Sequence, residues 1–525
     1  MQLISPSLLS SKSTVNECWI AYDGVVYDVT RWLPLHPGGF RSIMSAAGQD
    51  ATSVMKSLHS PYTLKRYIGR MKRVGILEKS MDYISNDYVD PQFDPAHDTG
   101  KAEEDDDDDL TNNGVKIQTD LMQKVLSDKR AESIQNDFHK LNEQLLKDGW
   151  FDPKPSYYWG QISRILLFII VGVKLILHSR SLSGIAGTTA LGFGSMLVGL
   201  FFQNLAFMGH DAGHGSITGN AKLDVWIGIF IGNLFTGIDI TWWKSTHYTH
   251  HSATNSMHDD PDIQHMPLMC FEERMAEGRW STYHGKWFLF DAIARSIVKY
   301  QHFYFYPVMG VARVNLYIQS FIFLFKTCPF LPDSDKGKKV MNEETGEIKE
   351  KYAWPKATNF QWFLSVITLV MFYLLMYALL SSLTLPSAVA CFVVSHVTAG
   401  ILHVQILLSH VGMHYCEDGS GGSGTVTNPS GCLQAGYYEW QALSTMDISC
   451  PVYMDWFHGG LQFQLEHHLF PRVPRWNLRK LMPLVDELFG KYDIPVVRKS
   501  FFDANLFVCN HLAEVGEKVC KLKVQ

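Results

Sequence analysis

The sequence lacks several features that would point to common classes of protein. Its net charge is only −6 over 525 residues, which gives no sign of nucleic-acid binding. Its N-terminus has no basic stretch followed by an apolar core, so we predict no cleaved signal peptide. Outside the Gly/Ser-rich stretch 417–431 it has no Gly-x-Gly-x-x-Gly fingerprint. If the protein needs electrons from a flavin or a nicotinamide, we therefore expect a separate reductase to supply them.

Cysteine is sparse and irregularly placed. The nine cysteines are odd in number and scattered along the chain, which argues against a secreted disulfide framework and favours a reducing compartment. The mean hydropathy is near zero, but the apolar residues are concentrated in separate stretches. The pattern therefore predicts soluble and membrane-embedded parts in one chain.

Apolar stretches long enough to cross a membrane follow the N-terminal region. A spanning helix needs about 20 mostly apolar residues. We predict four spans, at about 162–178, 184–208, 362–383 and 385–409. Two further apolar stretches carry charges that are costly at the centre of a bilayer: 223–243 has two aspartates and 303–326 has Arg313. We expect both to lie at the interface or inside protein.

Basic residues are distributed unevenly around these spans. The short loops 179–183 and 382–386 contain a single basic residue, Arg180. Nearly all other Lys and Arg lie in the N-terminal part and in 209–361 and 410–525, which the positive-inside rule places in the cytosol.

The chain divides into two predicted domains. Residues 14–79 contain a strand-like segment, VVYDVTRWL, followed by turns and short helices. Residues 80–135 are polar and include the run Asp105–Asp109, which is typical of a flexible acidic linker. Residues 136–525 form the second predicted domain, which contains the predicted spans. After the last span, the Gly/Ser-rich stretch 417–431 predicts a flexible loop.

Histidines cluster at three places beside the spans. The clusters are His210-Asp-Ala-Gly-His214, His247-Tyr-Thr-His250-His251 and Gln464-Leu-Glu-His467-His468. Because residues three and four apart share a helix face, the imidazoles of each cluster point one way, and Gln464 occupies the place of a histidine. Lone histidines lie near the end of the last span, at His396, His403, His410 and His414.

This concentration of imidazoles predicts more than one metal ion. Imidazole suits iron, zinc and copper, and zinc is satisfied by four ligands. Seven clustered histidines are therefore too many for one zinc ion and about right for two metals. No cysteine lies near the clusters, so no iron–sulfur site is indicated. The first and second clusters follow the span that ends near 208, and the third follows two more spans, 362–383 and 385–409. All three clusters therefore lie on one membrane face only if 303–326 does not cross the membrane.

The motifs HDAGH, HYTHH and QLEHH resemble the three histidine boxes of membrane-bound fatty acyl and sphingolipid desaturases, and the resemblance covers most of residues 140–500. The leading Gln464 is similar to the mark of the front-end group, which inserts a double bond between an existing group and the polar end of the chain. The resemblance implies an all-α integral membrane domain, with four transmembrane helices plus cytosolic helices. It also implies a di-iron centre that uses O2 to remove hydrogen from an unactivated methylene.

Carried over to this sequence, the resemblance implies a ligand set for two iron ions: His210, His214, His247, His250, His251, His467 and His468. His410 is the expected further ligand, with His403 as the next choice. Gln464 would act catalytically, as a weak neutral ligand or a contact of the ligands. Asp211 and Glu466 would orient imidazoles or face water. Ligand-orienting or headgroup-contacting roles are expected for His258, Asp259, Asp262 and His265.

The N-terminal motifs VYDVTRW, HPGG and AGQDAT resemble cytochrome b5, a small α+β domain in which two histidines clamp haem b. His36 and His59 match those axial ligands, and Phe40, Val54 and Leu58 are expected to wall the pocket. A tethered donor reaches its acceptor at high effective concentration. The resemblance therefore implies an internal electron donor for the di-iron centre, reduced in turn by an NADH-cytochrome b5 reductase.

Two lipid classes remain as candidate substrates. WWKSTHYTHHSATNSMHDDPDIQH is similar to the matching segment of plant-type Δ8 sphingolipid desaturases, which favours the long-chain base of a ceramide. Plant Δ6 acyl desaturases share nearly the same segments, so an acyl lipid is the alternative. A lipid hydroxylase, or a membrane haem carrier with an inactive desaturase half, are other hypotheses. The expected location is the endoplasmic reticulum membrane, multi-pass, with the N-terminus, haem domain and di-iron site facing the cytosol.

Overall fold

The computed structural model describes residues 2–78, 128–332, 335, 338–342, 346–352, 354–416 and 436–522. Most of the acidic linker predicted at 80–135, including Asp105–Asp109, lies outside these residues. Its last part, from Asp128, is already helical. The loop predicted at 417–431 also lies outside the described residues.

The first domain is a five-stranded sheet with short helices packed against it. Its strands are β1 (Leu3–Ile4), β2 (Ser13–Thr14), β3 (Glu17–Tyr22), β4 (Val25–Asp28) and β5 (Lys72–Leu77). Their order is β1-β5-β4-β3-β2, and β1, which precedes residue 14, pairs parallel with β5. The helices are α1 (Pro6–Ser10), α2 (Arg41–Met44), α3 (Thr52–Leu58) and α4 (Pro61–Ile68).

The second domain is mainly helical. Its helices are α5 (Asp128–Lys147), α6 (Pro155–His178), α7 (Gly184–Gly213), α8 (Ala221–Ile229), α9 (Ile240–Ser252), α10 (Ala292–Val298), α11 (Gln301–Thr327), α12 (Asn359–Ser381), α13 (Leu385–Leu408), α14 (Tyr437–Leu443), α15 (Asp455–His458), α16 (Gln464–Leu469), α17 (Arg475–Gly490) and α18 (Phe501–Lys521). Short strands form three pairs: β6 (Arg279–Ser281) with β7 (Lys286–Phe288), β8 (Lys339–Met341) with β9 (Ile348–Glu350), and β10 (Met446–Ser449) with β11 (Val497–Ser500). The predicted fold class, an α+β domain followed by a helical domain, is confirmed.

Five helices in the described part of the chain are long and apolar enough to cross a membrane: α6 with the turn after it, α7, α11, α12 and α13. The four predicted spans correspond to α6, α7, α12 and α13. The helix α11 meets the same criteria, so the number of spans stays a prediction.

The helix α11 contacts other parts of the protein at both of its ends. At its start, Gln301 Nε2 donates to the carbonyl of Cys270, at 2.9 Å. Near its end, Phe323 packs on Trp354, which in turn contacts Phe40 of the first domain. Both ends thus contact parts of the protein outside the apolar helices, and Arg313 between them is 1% exposed. This charge is buried inside protein, as expected.

The apolar segment at 223–243 is bent rather than straight. The chain bends by 109° between the helical stretch Ala221–Thr236 and α9. Gly237, in the bend, has φ +73°, a conformation that favours glycine. Asp239 then caps α9, since its carboxylate accepts from the backbone N–H groups of Thr241 and Trp242 at 2.9 Å. The bend directs α9, with the second histidine cluster, back towards the end of α7.

Candidate metal and haem sites

The first two histidine clusters meet where α7 ends and α9 passes it. His210 and His214 lie one turn apart at the C-terminal end of α7. The Nε2 atom of His214 is 2.9 Å from that of His247, and Nε2 of His210 is 3.0 Å from that of His467. Imidazole nitrogens this close, from three separate segments, form a geometry that a metal ion would satisfy.

The histidines form two groups, which we call the metal groups. Within each group the candidate ligand atoms lie within 4.8 Å of one another. One group is His210, His214, His247 and His467, and the other is His250, His410 and His468. His251 lies between them, with Nε2 3.1 Å from Nε2 of His247 and its ring 4.4 Å from that of His468. The arrangement fits two metal ions. It brings together all eight of the predicted histidine ligands.

Gln464 contacts the second group. Its Nε2 atom lies 3.2 Å from Nε2 of His410 and 3.3 Å from Nε2 of His468. Its Oε1 atom is buried without a hydrogen-bond partner among the described residues. Turning the amide by 180° exchanges these two atoms with little change of shape. The carbonyl oxygen would then face the imidazoles, where a metal ion would satisfy it.

The second group is held from behind by hydrogen bonds to Nδ1. Nδ1 of His250 lies 2.9 Å from a carboxylate oxygen of Asp260, and Nδ1 of His468 lies 2.8 Å from Oε1 of Gln441. Nδ1 of His410 lies 3.0 Å from the carbonyl of Ser444. Occupying Nδ1 in this way leaves Nε2 free to bind a metal and fixes the ring orientation.

Burial also favours the form of imidazole that binds metals. Desolvation, reinforced by the neighbouring imidazoles, lowers the pKa of His214, His467 and His468 well below its ordinary value. Burial and the nearby His250 lower the pKa of His410 in the same way. These side chains are therefore neutral at physiological pH, as metal ligation requires.

The two acids inside the clusters pair with arginines, and a carboxylate oxygen of Asp211 also lies 3.8 Å from Nδ1 of His210. Asp211 forms a 2.9 Å ion pair with Arg475 and accepts from the Tyr158 hydroxyl at 3.0 Å. Glu466 is fully buried 3.4 Å from Arg498. Burial and the adjacent Asp447 raise the pKa of Glu466 well above its usual range. Both acids are inside the protein rather than facing water, and their contacts anchor α7 and α16 to the following segments.

The other polar residues named from the sequence lie outside the two imidazole groups. His403 is buried on α13 and has no hydrogen-bond partner among the described residues. His258 Nδ1 contacts the carbonyl of Trp280 at 2.9 Å, and Asp259 accepts from the Thr282 hydroxyl at 2.8 Å. Asp262 is 3.8 Å from Nδ1 of His250. His265 and Asp262 line the cavity described below.

The first domain places His36 and His59 opposite each other, with their rings tilted by 53°. His36 follows the 3-10 turn Thr30–Leu35, and His59 lies between α3 and α4, where Ser60 caps α4. Their ring centroids are 5.9 Å apart. Two metal–nitrogen bonds of about 2 Å plus two ring radii of about 1.1 Å give about 6 Å, so a haem iron fits between them.

Hydrogen bonds orient both rings for this role. Nδ1 of His36 contacts the carbonyl of Gly39 at 2.9 Å, and Nδ1 of His59 contacts that of Met55 at 3.1 Å. Each ring therefore has Nε2 available. Burial lowers the pKa of His36, and burial and the nearby His36 lower the pKa of His59 to about 4. Val54 and Leu58 are buried in the same domain, and Phe40 packs against Trp354 of the second domain.

The first domain, the predicted haem domain, packs directly next to the second and third histidine clusters. Ser57 Oγ donates to the carbonyl of Leu469 at 2.9 Å, and Ser45 and Ser252 hydroxyls are 2.8 Å apart. A Cβ atom added at Gly39 would lie 2.0 Å from Oγ of Ser245, so only glycine permits this approach. The two predicted cofactor sites thus share one interface.

Sequence reasoning missed three residues of this region. Asp260 lies in an acidic run in which spacing does not show which carboxylate meets His250. Gln441 lies more than twenty residues before the third cluster, in a segment without a motif. Tyr248 sits inside the second cluster, but only the fold places it beside Gly38, at 3.5 Å from a Cβ built there.

A cavity of about 540 Å³ opens onto the metal groups. Imidazoles of His210, His214, His247, His250 and His467 form part of its wall, together with Gln464. Apolar side chains form most of the rest, among them Phe207, Ile238, Met309 and Ile406. An apolar cavity of this size suits a flexible hydrocarbon chain.

Comparisons with known proteins show which families the two domains resemble. The fatty acid desaturase family matches residues 187–500, and the cytochrome b5-like heme/steroid binding domain matches residues 5–78. A Delta(8)-fatty-acid desaturase of Helianthus annuus is 32% identical over 96% of this chain and 89% of the relative. A Delta 8-(E)-sphingolipid desaturase of Komagataella phaffii is 31% identical over 95% and 91%. An acyl-lipid (9-3)-desaturase of Borago officinalis is 29% identical over 96% and 91%.

The chain belongs to the fatty acid desaturase family and carries a cytochrome b5-like domain at its N-terminal end. It is a membrane protein of an oxidoreductase family. The resemblance identified from the histidine motifs and HPGG is confirmed.

Proposed function

We propose that this protein is a front-end desaturase that inserts a double bond at Δ8 of sphingolipid long-chain bases, with O2 and electrons from its own haem domain. The observation that carries the proposal is the shared location of three features. The imidazoles of the first group, together with His250 and Gln464 at the second, line one apolar cavity. The haem domain packs next to the second and third histidine clusters.

Each imidazole group would hold one iron ion, and bound iron would supply the oxygen chemistry that removes hydrogen from an unactivated methylene. The side chains of the protein have three tasks in this scheme. Asp260 and Gln441 hold His250 and His468 in position. Gln464 places an amide at the second group. The apolar wall excludes water and aligns the hydrocarbon chain beside the imidazoles.

The haem domain would act as the internal electron donor. His36 and His59 would bind haem b, and an NADH-cytochrome b5 reductase is the proposed source of its electrons. The contacts between Ser57 and Leu469 and between Ser45 and Ser252 support a donor held close to its acceptor. The proposed location is the endoplasmic reticulum membrane, with the haem domain and the metal groups on the cytosolic side.

The relatives support the position of the double bond. Those from Helianthus annuus and Komagataella phaffii are both named for position 8, one for fatty acids and one for sphingolipids. An acyl substrate is the alternative, and the acyl-lipid desaturase of Borago officinalis favours it at similar identity. The long-chain base is preferred because the segment 242–265, around the second histidine cluster, is similar to that of plant-type Δ8 sphingolipid desaturases.

Lipid analysis in a yeast strain that lacks this activity tests the proposal. Long-chain bases and fatty acid esters are profiled by mass spectrometry after expression of the chain. A new double bond at carbon 8 of the long-chain base is expected. A new bond only in acyl esters would replace the proposal with the acyl alternative, and hydroxylated product would indicate oxygen insertion. A variant with His467→Ala and His468→Ala is the inactive control.

A further inference from the structure

One part of the cavity wall is a connected set of neutral polar side chains. The indole N–H of Trp242 donates to the Tyr283 hydroxyl at 3.1 Å, and that hydroxyl donates to Oε1 of Gln319 at 3.4 Å. Nε2 of Gln319 lies 3.4 Å from Oδ1 of Asn315. All four side chains line the cavity. We call them the Tyr283 cluster.

The cluster is built from three different elements. Trp242 belongs to α9, Tyr283 to the turn between β6 and β7, and the two amides to α11. The turn is tied to the haem domain, because Arg41 donates to the carbonyl of Tyr283 at 3.4 Å. Burial raises the pKa of Tyr283 to about 12, so its phenol stays neutral and remains a donor. A polar group built this way into an apolar cavity is a specificity feature.

We propose that the Tyr283 cluster binds the polar head of the lipid substrate, and that this head is neutral and carries hydroxyl and amide groups. This inference rests on the proposed function and adds the recognition site for its substrate class. Beyond the hydrogen bonds within the cluster, the two carboxamides retain N–H donors, and the carboxamide and phenol oxygens retain acceptor capacity. These groups match the hydroxyl and amide groups of a ceramide, whose long-chain base is N-acylated and therefore uncharged.

The charges of the cavity argue against an anionic head. Its lysine and arginine are Lys286 and Arg475. Arg475 is held in the ion pair with Asp211, and Lys286 lies 4.4 Å from the centre of the Phe288 ring. The carboxylate of Asp262 also lines the cavity. Phosphate recognition in proteins relies on converging arginine and lysine side chains, and the wall offers no such convergence among its described residues.

The cluster also stands at a fixed distance from the metal groups. Trp242 precedes His247 by five residues and His250 by eight on α9, which corresponds to about 7.5 Å and about 12 Å along the helix axis. A head held at Trp242 and Tyr283 therefore places a defined methylene beside the imidazoles. In this geometry, the fixed position of the head sets the distance of the new double bond from the polar end of the substrate.

Binding and product position test the inference on the purified protein loaded with haem and iron. The probe is a tritiated short-chain ceramide, with phosphatidylcholine as competitor. For Tyr283→Phe and Gln319→Leu we expect the Kd for the ceramide to rise about tenfold, since each loses hydrogen bonds to a neutral partner. We also expect double bonds at positions next to carbon 8. Tyr306→Phe is the control, because it removes a phenol hydroxyl that bonds Asn505 outside the cavity wall.

The outcomes separate this inference from the proposed function. If wild type forms the Δ8 long-chain base, but both variants bind ceramide and place the bond as wild type does, the role of the cluster is overturned and the function stands. If wild type desaturates only acyl esters and binds phosphatidylcholine instead of ceramide, both are overturned. Haem absorbance and iron content equal to wild type show that a variant is folded. If Tyr283→Phe is not folded, Gln319→Leu alone tests the role of the cluster.

Discussion

The ring centroids of Tyr248 and His214 are 5.3 Å apart. On its other side, the ring of Tyr248 lies against the Gly38 turn of the haem domain. Gly38 is two residues from His36, and His214 belongs to the first metal group. Tyr248 also donates to the carbonyl of Gly213 at 3.2 Å. One aromatic side chain therefore connects the two predicted cofactor sites.

Replacement of Tyr248 by leucine is expected to slow electron transfer from the haem domain several-fold, because the aromatic contact between the two sites is lost. The rate is measured by stopped-flow absorbance of the pre-reduced haem after mixing with O2 and substrate. Tyr248→Phe keeps the ring and is the matched control, with a rate close to wild type. A leucine variant that reoxidises as fast as wild type, with normal haem and iron content, would refute this role.

Loss of either haem ligand is expected to remove haem but not iron. His36→Ala or His59→Ala leaves one imidazole where two face each other at 5.9 Å, so haem absorbance should fall to a small fraction of wild type, and product formation with it. Iron content should stay near wild type, because the metal groups belong to the other domain. His178→Ala, beside Ser181 at the end of α6, is the control. Full haem content in both variants would disprove the assignment.

Gln464→Ala is expected to abolish activity, whereas Gln464→His should retain some, because an imidazole at this position can still reach the second group. The amide lies 3.2 Å from His410 and 3.3 Å from His468. Product and iron are measured together, by mass spectrometry and metal analysis. Gln462→Ala is the control, since Gln462 bonds Asp455 at 2.9 Å instead of a histidine. Full activity of Gln464→Ala would show that the residue has no role at the metals.

Asp260→Asn is expected to lower iron affinity or activity about 10- to 100-fold, the usual effect of removing a group that orients a metal-binding imidazole. Asp260 accepts from His250 and from the backbone N–H of Asn255 at 2.7 Å. Iron retention is measured by dialysis against a chelator while haem absorbance is recorded. Asp259→Asn, which changes a carboxylate that contacts Thr282 instead of a metal-binding imidazole, should behave as wild type. Equal iron retention in both variants would contradict the prediction.

Much of this molecule could be predicted because its motifs are local. The spacing within HDAGH, HYTHH and QLEHH places residues on one helix face whatever the fold, and HPGG with a later histidine marks a haem clamp. Apolar length predicts α6, α7, α12 and α13 in the same way, since bilayer thickness sets the length of a spanning helix. Arg313 was expected at an interface or in protein because a charge is costly in lipid, and it is buried.

The sequence by itself determined the two-domain order, the ligand types and the family. Only the tertiary structure decided which groups meet. It paired Asp260 with His250 and paired Asp211 and Glu466 with arginines. It set Tyr248 between the domains and assembled the Tyr283 cluster from three elements. Most of these contacts join residues far apart in the chain. Local spacing fixes direction along one helix, whereas the bend before α9 and the packing of the haem domain fix which distant side chains lie within hydrogen-bond distance.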